Sequence, residues 1–346
     1  MSETSSLTPS PTQGANEDFM PEQDLAAKIE DFGTRMTAIR ESIGRVIYGQ
    51  EEVILETLTT ILAGGHCLIV GVPGLGKTLL VDTLGTVLGL QDKRVQFTPD
   101  LMPPDILGSE ILDESVNGAR SFRFIKGPIF CQLLMADEIN RASPRTQSAL
   151  LQAMQERCVS IAGTTNDLPR PFHVLATQNP IEQEGTYPLP EAQLDRFLMQ
   201  INIRYPSLEA ECQILLKTTG IETHSASEVL TAKELIEAQK LVRQLPVGDS
   251  VVQSILDIVR SARPSEQSLP ELKSKILWGP GPRASQALML AIRAKALIDG
   301  RFAPSIEDLL DLAKPVLRHR IALTFNARAD GLTVDDIIDR LCERLG

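Results

Sequence analysis

Eight consecutive residues have the types and spacing that bind a polyphosphate. They fit the pattern G-x-x-x-x-G-K-S/T and run Gly71-Val72-Pro73-Gly74-Leu75-Gly76-Lys77-Thr78. Glycines let the backbone curl so that its N–H groups face phosphate oxygens, and the N-terminus of a following helix adds positive charge. In this pattern Lys77 reaches the β- and γ-phosphates, and the hydroxyl of Thr78 holds Mg²⁺. The segment therefore predicts a site for a nucleoside triphosphate and its magnesium ion.

Two acids, Asp137 and Glu138, end the apolar run that begins at Leu133. The magnesium ion of a bound triphosphate needs a nearby carboxylate, a role that suits Asp137. Glu138 is of the type that polarises an attacking water as a general base. Asn179, just past another apolar run, could orient that water, although Asn-Pro is also a common turn starter.

Two arginines are candidates for neutralising the charge that builds on a transferring phosphoryl group. Arg196 precedes the last apolar run, and Arg283 lies at the start of a helical pattern further along. Taken alone, each is better explained as a surface salt-bridge residue, with Asp195 or Glu191 as the partner of Arg196.

Around these residues, short apolar runs alternate with helical patterns, which predicts an α/β fold with a mostly parallel sheet covered on both faces. The predicted strands are Cys67–Val70, Arg94–Thr98, Leu133–Ala136, Phe172–Thr177 and Met199–Ile203. Helices are predicted between several strands, including 77–88 and 143–156, the second with a Ser143 cap and Pro144 in its first turn. Stretches 111–125, around Asn117-Gly118, and 159–171 interrupt the alternation and predict hairpins.

Three regions are expected along the chain. Residues 1–22 have almost no aliphatic content and predict a disordered tail. Residues 23–205 form the α/β region, led by an amphipathic helix from about 24 to 45. Residues 206–346 predict an all-helical region, with helices at 208–217, 231–245, 251–262, 284–298, 305–312 and 333–345.

Composition narrows the class of protein. The 45 acidic and 34 basic residues give a net charge of −11, which argues against a protein built to coat nucleic acid. Five scattered cysteines without paired spacing indicate reduced thiols and argue against a zinc site. No secretory leader or membrane-spanning run is recognisable, so a cytoplasmic protein is expected.

The order of these motifs resembles that of AAA+ ATPases, which carry a Walker A, a Walker B, a sensor 1, an arginine finger and a sensor 2. In this chain those correspond to 71–78, Asp137-Glu138, Asn179, Arg196 and Arg283. Longer stretches resemble the MoxR family, namely 95–101, 136–142, 176–180 and 184–197. The resemblance covers about 45–345, and it departs at sensor 2, where Pro280-Gly281 replace Ala-Ser.

This resemblance implies a P-loop domain with five parallel strands in the order 5-1-4-3-2, followed by a helical lid after Pro206. The two hairpins would be the helix-2 insert and the pre-sensor-1 hairpin, and Tyr48-Gly49 would lie in a segment that contacts adenine. Family members form rings, usually hexamers. They act on protein clients as chaperones with von Willebrand factor A-domain partners, often in metal or cofactor insertion.

Three hypotheses follow. The first is an ATP-hydrolysing chaperone in which Arg283 acts from the lid of the same subunit and Arg196 acts on the neighbour's nucleotide. The alternative is a DNA translocase or helicase-like motor, but the 111–126 hairpin has three basic residues against two acids, too few for a nucleic-acid pore. The third is a non-hydrolysing scaffold, which the presence of both Lys77 and Glu138 disfavours.

Overall fold

The computed structural model describes residues 22–114, 120–181, 185–220, 225–264 and 270–344. The predicted tail, apart from residue 22, and the Asn117-Gly118 turn lie outside these ranges.

The first part of the chain forms a three-layer arrangement of sheet and helices. Its elements in chain order are α1 (Glu22–Gly44), α2 (Glu51–Leu62), β1 (Cys67–Val70), α3 (Lys77–Val87), β2 (Asp92–Gln96), α4 (Pro103–Leu107), β3 (Gly108–Glu114), β4 (Arg120–Lys126), β5 (Leu133–Asp137), α5 (Pro144–Glu156), β6 (Cys158–Ile161), β7 (Thr164–Asp167), β8 (His173–Gln178), α6 (Glu191–Leu194) and β9 (Met199–Asn202).

One parallel sheet of five strands forms the centre, in the order β2-β5-β8-β1-β9. Numbered among themselves and read from β9, these strands follow the expected order 5-1-4-3-2. Every residue of β5 is buried, because helices cover both faces of the sheet. Parallel strands bring their carboxyl ends to one edge, so the turns after β1, β5 and β8 lie side by side.

Local sequence signals explain most helices. Ser143 caps α5 by accepting a hydrogen bond from the Thr146 N–H, and Pro144 occupies the first turn, as predicted. Helix α2 was not predicted. Nine of its residues are buried, so it lacks the polar face that makes a surface helix recognisable.

Both predicted hairpins are present as two-stranded antiparallel sheets, β3–β4 and β6–β7. Between β6 and β7, Ala162 and Gly163 have φ values of 47° and 83°, as a tight two-residue hairpin turn requires. On β3–β4, Leu112 pairs with Phe122, and these side chains are 54% and 73% exposed.

The second part of the chain is mainly helical, as predicted. Its elements are α7 (Leu208–Thr218), α8 (Ala232–Gln244), α9 (Asp249–Ser261), α10 (Pro270–Lys273), β10 (Ile276–Trp278), α11 (Pro282–Ile298), α12 (Ile306–Leu317), β11 (Ala322–Leu323), α13 (Phe325–Ala329) and α14 (Val334–Cys342). The expectation of helices alone missed the antiparallel pair β10–β11, because strands of two or three residues leave no pattern.

We call α7 to α14 the lid and the preceding elements the core, and the boundary near residue 205 stays a prediction. Helix α1 packs against α3 of the core and against α8 and α11 of the lid. One apolar cluster therefore runs through both parts. Among the described residues, no helix is long and apolar enough to cross a membrane.

Candidate functional site

Residues 71–76 form the turn between β1 and α3, and Lys77 and Thr78 begin the helix, as the phosphate-binding pattern requires. Gly74 and Gly76 have φ values of 83° and 72°, in the left-handed region that glycine adopts without strain. A Cβ atom placed on either glycine would meet no atom within 4 Å, so the turn borders open space. The unpaired N–H groups of the first turn of α3 lie at this space.

The Lys77 side chain is a half-buried cation without a carboxylate partner among the described residues. Its Nζ donates to the Gly71 carbonyl at 2.7 Å. Burial lowers the pKa of Lys77, and Asp137 and Glu138 are near enough to oppose that shift. A desolvated ammonium bonded only to a carbonyl fits a site built for an anion.

Asp137 ends β5 and is 8% exposed. Its Oδ1 accepts a hydrogen bond from Thr177 Oγ1 at 2.6 Å, and its Oδ2 accepts one from Arg94 at 2.5 Å. Thr177 Oγ1 also accepts from the Glu138 N–H at 2.8 Å. One hydroxyl of β8 therefore fixes both acids of β5.

Glu138 has left-handed backbone angles, φ 55° and ψ 50°, which are uncommon for a residue with a side chain. Strain of this kind costs of order 1–3 kcal/mol and occurs preferentially at functional sites. The carboxylate accepts hydrogen bonds on Oε2 from Gln96 Nε2 at 2.9 Å and from Arg141 at 3.1 Å. These two donors hold the side chain in one orientation.

Asn179 follows β8 and is 3% exposed. Its Oδ1 accepts a hydrogen bond from the Ile181 N–H at 3.1 Å, which is the local turn that Asn-Pro predicts. Its Nδ2 makes no hydrogen bond with a described residue. The turn accounts for the hydrogen bond of Oδ1, and Nδ2 is available at the edge of the sheet where β5 also ends.

The Tyr48-Gly49 segment lies where the core meets the first lid helix. A Cβ atom on Gly49 would lie 2.2 Å from the Cβ of Ala210 on α7, so only glycine allows this approach. The next residue, Gln50, donates from Nε2 to the Leu75 carbonyl at 2.9 Å. The structure thus joins this segment to the phosphate-binding turn and to the lid. Tyr48 donates its hydroxyl to the Arg45 carbonyl at 2.6 Å.

The two candidate arginines lie beside the same aspartate. Arg196 is partly exposed, and its side chain makes no hydrogen bond or ion pair with a described residue. Asp195 pairs instead with Arg320 at 2.7 Å and with Arg283 at 3.9 Å. The salt bridge from Arg196 to Asp195 or Glu191 is therefore not formed, and Arg283 makes no ion pair with Asp137 or Glu138.

The sequence analysis missed four residues that hold the acids, namely Arg94, Gln96, Arg141 and Thr177. Three of them lie in the stretches that resemble the MoxR family, so a signal existed. It did not say which side chains face the acids, because that depends on the register of β2 and β8 against β5. Arg94 lies outside those stretches and carried no signal.

Comparisons with known proteins agree with this geometry. Residues 66–199 match the family model "ATPase family associated with various cellular activities (AAA)", and residues 273–341 match the model of the AAA lid domain. A crystal structure of a provisionally assigned ATPase from Cytophaga hutchinsonii superimposes with a TM-score of 0.86 at 37% identity, over 93% of this chain and 98% of that one.

Among curated relatives, the protein named Chaperone MoxR1 of Mycobacterium tuberculosis is 42% identical over 93% of this chain and 83% of its own length. Protein MoxR of Paracoccus denitrificans is 29% identical over 87% of this chain and 92% of its own length. Both domain models, the sheet order and these relatives agree, and the chain belongs to the MoxR family of AAA+ ATPases.

Proposed function

We propose that this chain binds ATP and Mg²⁺ at residues 71–78 and hydrolyses the nucleotide. The observation that carries the proposal is the arrangement of β1, β5 and β8 as parallel neighbours. That arrangement brings the phosphate-binding turn, the Asp137-Glu138 pair and Asn179 to one edge. The open space at Gly74 and Gly76 and the unneutralised charge of Lys77 support an anionic ligand there.

Each residue of the site then has a distinct task. Thr78 and Asp137 hold the magnesium ion, which when bound neutralises charge on the phosphates. The Thr78 hydroxyl makes no hydrogen bond with a described residue, and each Asp137 oxygen keeps a second acceptor position beside its present partner. Glu138 takes the proton of the attacking water, Asn179 orients that water through Nδ2, and Tyr48 and Gly49 border the adenine.

The active form is a ring, a hexamer as is usual in the family. Arg196 acts on the nucleotide of the neighbouring subunit, which its lack of a partner within the described part of its own chain supports. Arg283 acts from the lid on the nucleotide of its own subunit.

Hydrolysis serves chaperone work on a protein client. The name of the 42%-identical relative, Chaperone MoxR1, supports this, and so does the exposed Leu112–Phe122 pair on the β3–β4 hairpin. A von Willebrand factor A-domain partner and assistance in metal or cofactor insertion are the finer parts of the proposal. A nucleic-acid motor is not favoured, because Arg123 on that hairpin is paired with Asp113 at 2.9 Å.

Two substitutions test the site. Lys77→Ala should abolish ATP binding in calorimetry, since it removes the cation aimed at the phosphates. Glu138→Gln should keep binding and lower turnover at least about 100-fold, the scale of a lost general base. Lys233→Ala, at an exposed lysine outside the site, is the control. Unchanged ATP affinity in Lys77→Ala would overturn the proposal, and a loss below about tenfold in Glu138→Gln would assign the base elsewhere.

DNA should leave the ATPase rate nearly unchanged at physiological salt. The net charge of −11 and the paired charges on the hairpin give little attraction for phosphate backbones. A large stimulation by single- or double-stranded DNA would favour the motor instead.

A further inference from the structure

One lid side chain holds the backbone on both sides of Arg196. Arg320 is 2% exposed, and its Nε donates to Asp195 Oδ1 at 2.7 Å. Its terminal nitrogens donate to the carbonyls of Phe197 at 2.7 Å and Leu198 at 3.0 Å. A further hydrogen bond goes to the carbonyl of Val316 in α12. The guanidinium therefore forms hydrogen bonds with the residue before Arg196 and with the two residues after it.

The two residues before Arg320 in the sequence make further contacts with the same part of the core. His319 Nε2 lies 3.0 Å from the Phe197 carbonyl oxygen, and Arg318 donates to the Gln200 carbonyl at 3.2 Å. Strand β9 is an edge strand, so its outward carbonyls have no partner in the sheet. In the lid turn 318–320, Arg318 supplies a partner for the Gln200 carbonyl of β9, while His319 and Arg320 contact carbonyls of the two residues just before the strand.

Burying the Arg320 guanidinium costs solvation free energy, and its hydrogen bonds require one specific geometry. Desolvation lowers the pKa of Arg320, and the hydrogen bond and charge of Asp195 oppose that shift. A buried ion pair often adds no net stability over apolar residues of similar volume. What a guanidinium adds here is fixed geometry, since its planar donors reach a carboxylate and several carbonyls at once.

Asp195 also receives a second lid arginine. Arg283, in the first turn of α11, is 51% exposed and lies 3.9 Å from Asp195 Oδ2. The Asp195 carboxylate, next to Arg196, thus interacts with two lid arginines. One is Arg283, which is proposed to face the subunit's own nucleotide, and the other is the buried Arg320. A lid movement that shifts either arginine changes the position of Asp195.

We propose that Arg320, acting through Asp195, is a positioning residue for Arg196, so that the lid of one subunit sets the hydrolysis rate in the next. This rests on the proposed action of Arg196 on the neighbour's nucleotide. In this role Arg320 acts through its bonds to Asp195 and the neighbouring carbonyls, and its effect is on where the Arg196 side chain is presented.

Mixing of variant subunits tests the assignment. Arg320→Lys keeps a cation for Asp195 but loses the geometry that reaches several carbonyls, and Asp195→Glu keeps the ion pair while displacing it, should Arg320→Lys fail to fold. Either variant should lower kcat about 10- to 100-fold, the scale of a misplaced catalytic group, with ATP affinity within about twofold. Arg301→Lys, at a lid arginine that donates to Asp299 and Asp308 of the lid and not to the segment around Arg196, is the matched control and should keep kcat within about threefold.

The pattern of recovery separates the possible roles. Mixed with Lys77→Ala, Arg320→Lys should regain activity, because roughly a quarter of randomly paired interfaces then join an intact phosphate-binding turn to an intact Arg196. Mixed with Arg196→Ala, it should regain none. Recovery with Arg196→Ala instead would place Arg320 at its own subunit's nucleotide, and recovery with neither would make its role purely structural; both results overturn the proposal.

A reference mixture distinguishes this failure from failure of the proposed function. Arg196→Ala and Lys77→Ala should restore activity to each other when subunits exchange. If that pair stays inactive despite exchange, the action of Arg196 across the interface is wrong, and the positioning role of Arg320 is overturned with it.

Discussion

Asp137, at the end of β5, and Asp195, between α6 and β9, both have an arginine partner, yet the two pairs are built differently. The partners of Asp137 come from β2 and β8 of the same sheet, and the Arg94 side chain is 48% exposed. Asp195 is bonded to Arg320, which lies 125 residues further along the chain, in the lid, and is 2% exposed. The two pairs differ in their arginines, since Arg94 is half exposed and belongs to the same sheet, whereas Arg320 is buried and joins the two parts of the molecule.

This difference separates two uses of a carboxylate. Asp137 can exchange or share a half-exposed arginine at little cost, which suits the role of magnesium ligand proposed for it. Loss of the Asp195 charge would leave Arg320 as a buried cation without its ion pair. The first aspartate is suited to chemistry, and the second to holding the lid against the segment that carries Arg196 and leads into β9.

The largest difference between the two pairs is expected in the free energy of unfolding when each aspartate is neutralised. Asp195→Asn should lower the free energy of unfolding by about 3 kcal/mol, because it leaves Arg320 as a buried charge without its ion pair. Asp137→Asn should lower it by less than about 1 kcal/mol, since Arg94 is half exposed. Urea titrations of the nucleotide-free proteins measure both values. Equal losses would show that the two pairs do not differ as described.

Glu56, another acid at the junction of core and lid, should make the free energy of unfolding depend on pH. Burial raises the pKa of Glu56, on α2 beside Arg318 and Asp335, from 4.5 to about 7. The stability from its protonated form is complete below about pH 4.5 and is lost as pH rises through about 7. The free energy of unfolding of Glu56→Gln should therefore be larger than that of the natural protein by about 2–3 kcal/mol at pH 8, and the two should be equal near pH 4.

Urea titrations at the two pH values check this prediction. Glu51→Gln, at an exposed position on the same helix, should leave the pH profile of the free energy of unfolding unchanged. A Glu56→Gln profile parallel to that of the natural protein would contradict the raised pKa.

The smallest expected effect concerns Gln96, whose amide holds the Glu138 carboxylate. Gln96→Ala should raise basal turnover about two- to fivefold, because removing one solvent-exposed hydrogen bond, worth about 1 kcal/mol or less, leaves Oε2 with fewer donors and freer to meet the attacking water. Steady-state ATPase assays measure it. The control is Gln253→Ala, which removes a similar amide–carboxylate bond, to Asp257, on an exposed part of α9. A fall in turnover would show that Gln96 supports the active orientation of Glu138.

The sequence predicted what depends on neighbours along the chain. Residues 71–76 fold as a turn between strand and helix because glycine spacing and the apolar run before it are local signals. The sheet order was expected from family resemblance, since no local pattern encodes strand order. Helix α2 was missed because burial on nearly all sides removes its periodicity.

The contacts of Arg320 were missed for a different reason. Its sequence context, Arg318-His319-Arg320, has the composition of a solvated helix end, and only packing against the segment around Asp195, 125 residues away, makes it part of the interior. Pairings at such separation depend on the whole topology, which propensity and spacing do not describe.

The bonds from the 318–320 turn to the segment 195–200 also bear on how the protein is made. While the ribosome is still adding the lid, Asp195 and the carbonyls of Phe197 and Leu198 have been synthesised and Arg320 has not. The core sheet can pair its strands during that interval, but its last edge closes only after residue 320 has emerged. Docking of the lid on this segment therefore waits for residue 320, and grafting this lid onto another core would require carrying Asp195 and Arg320 together.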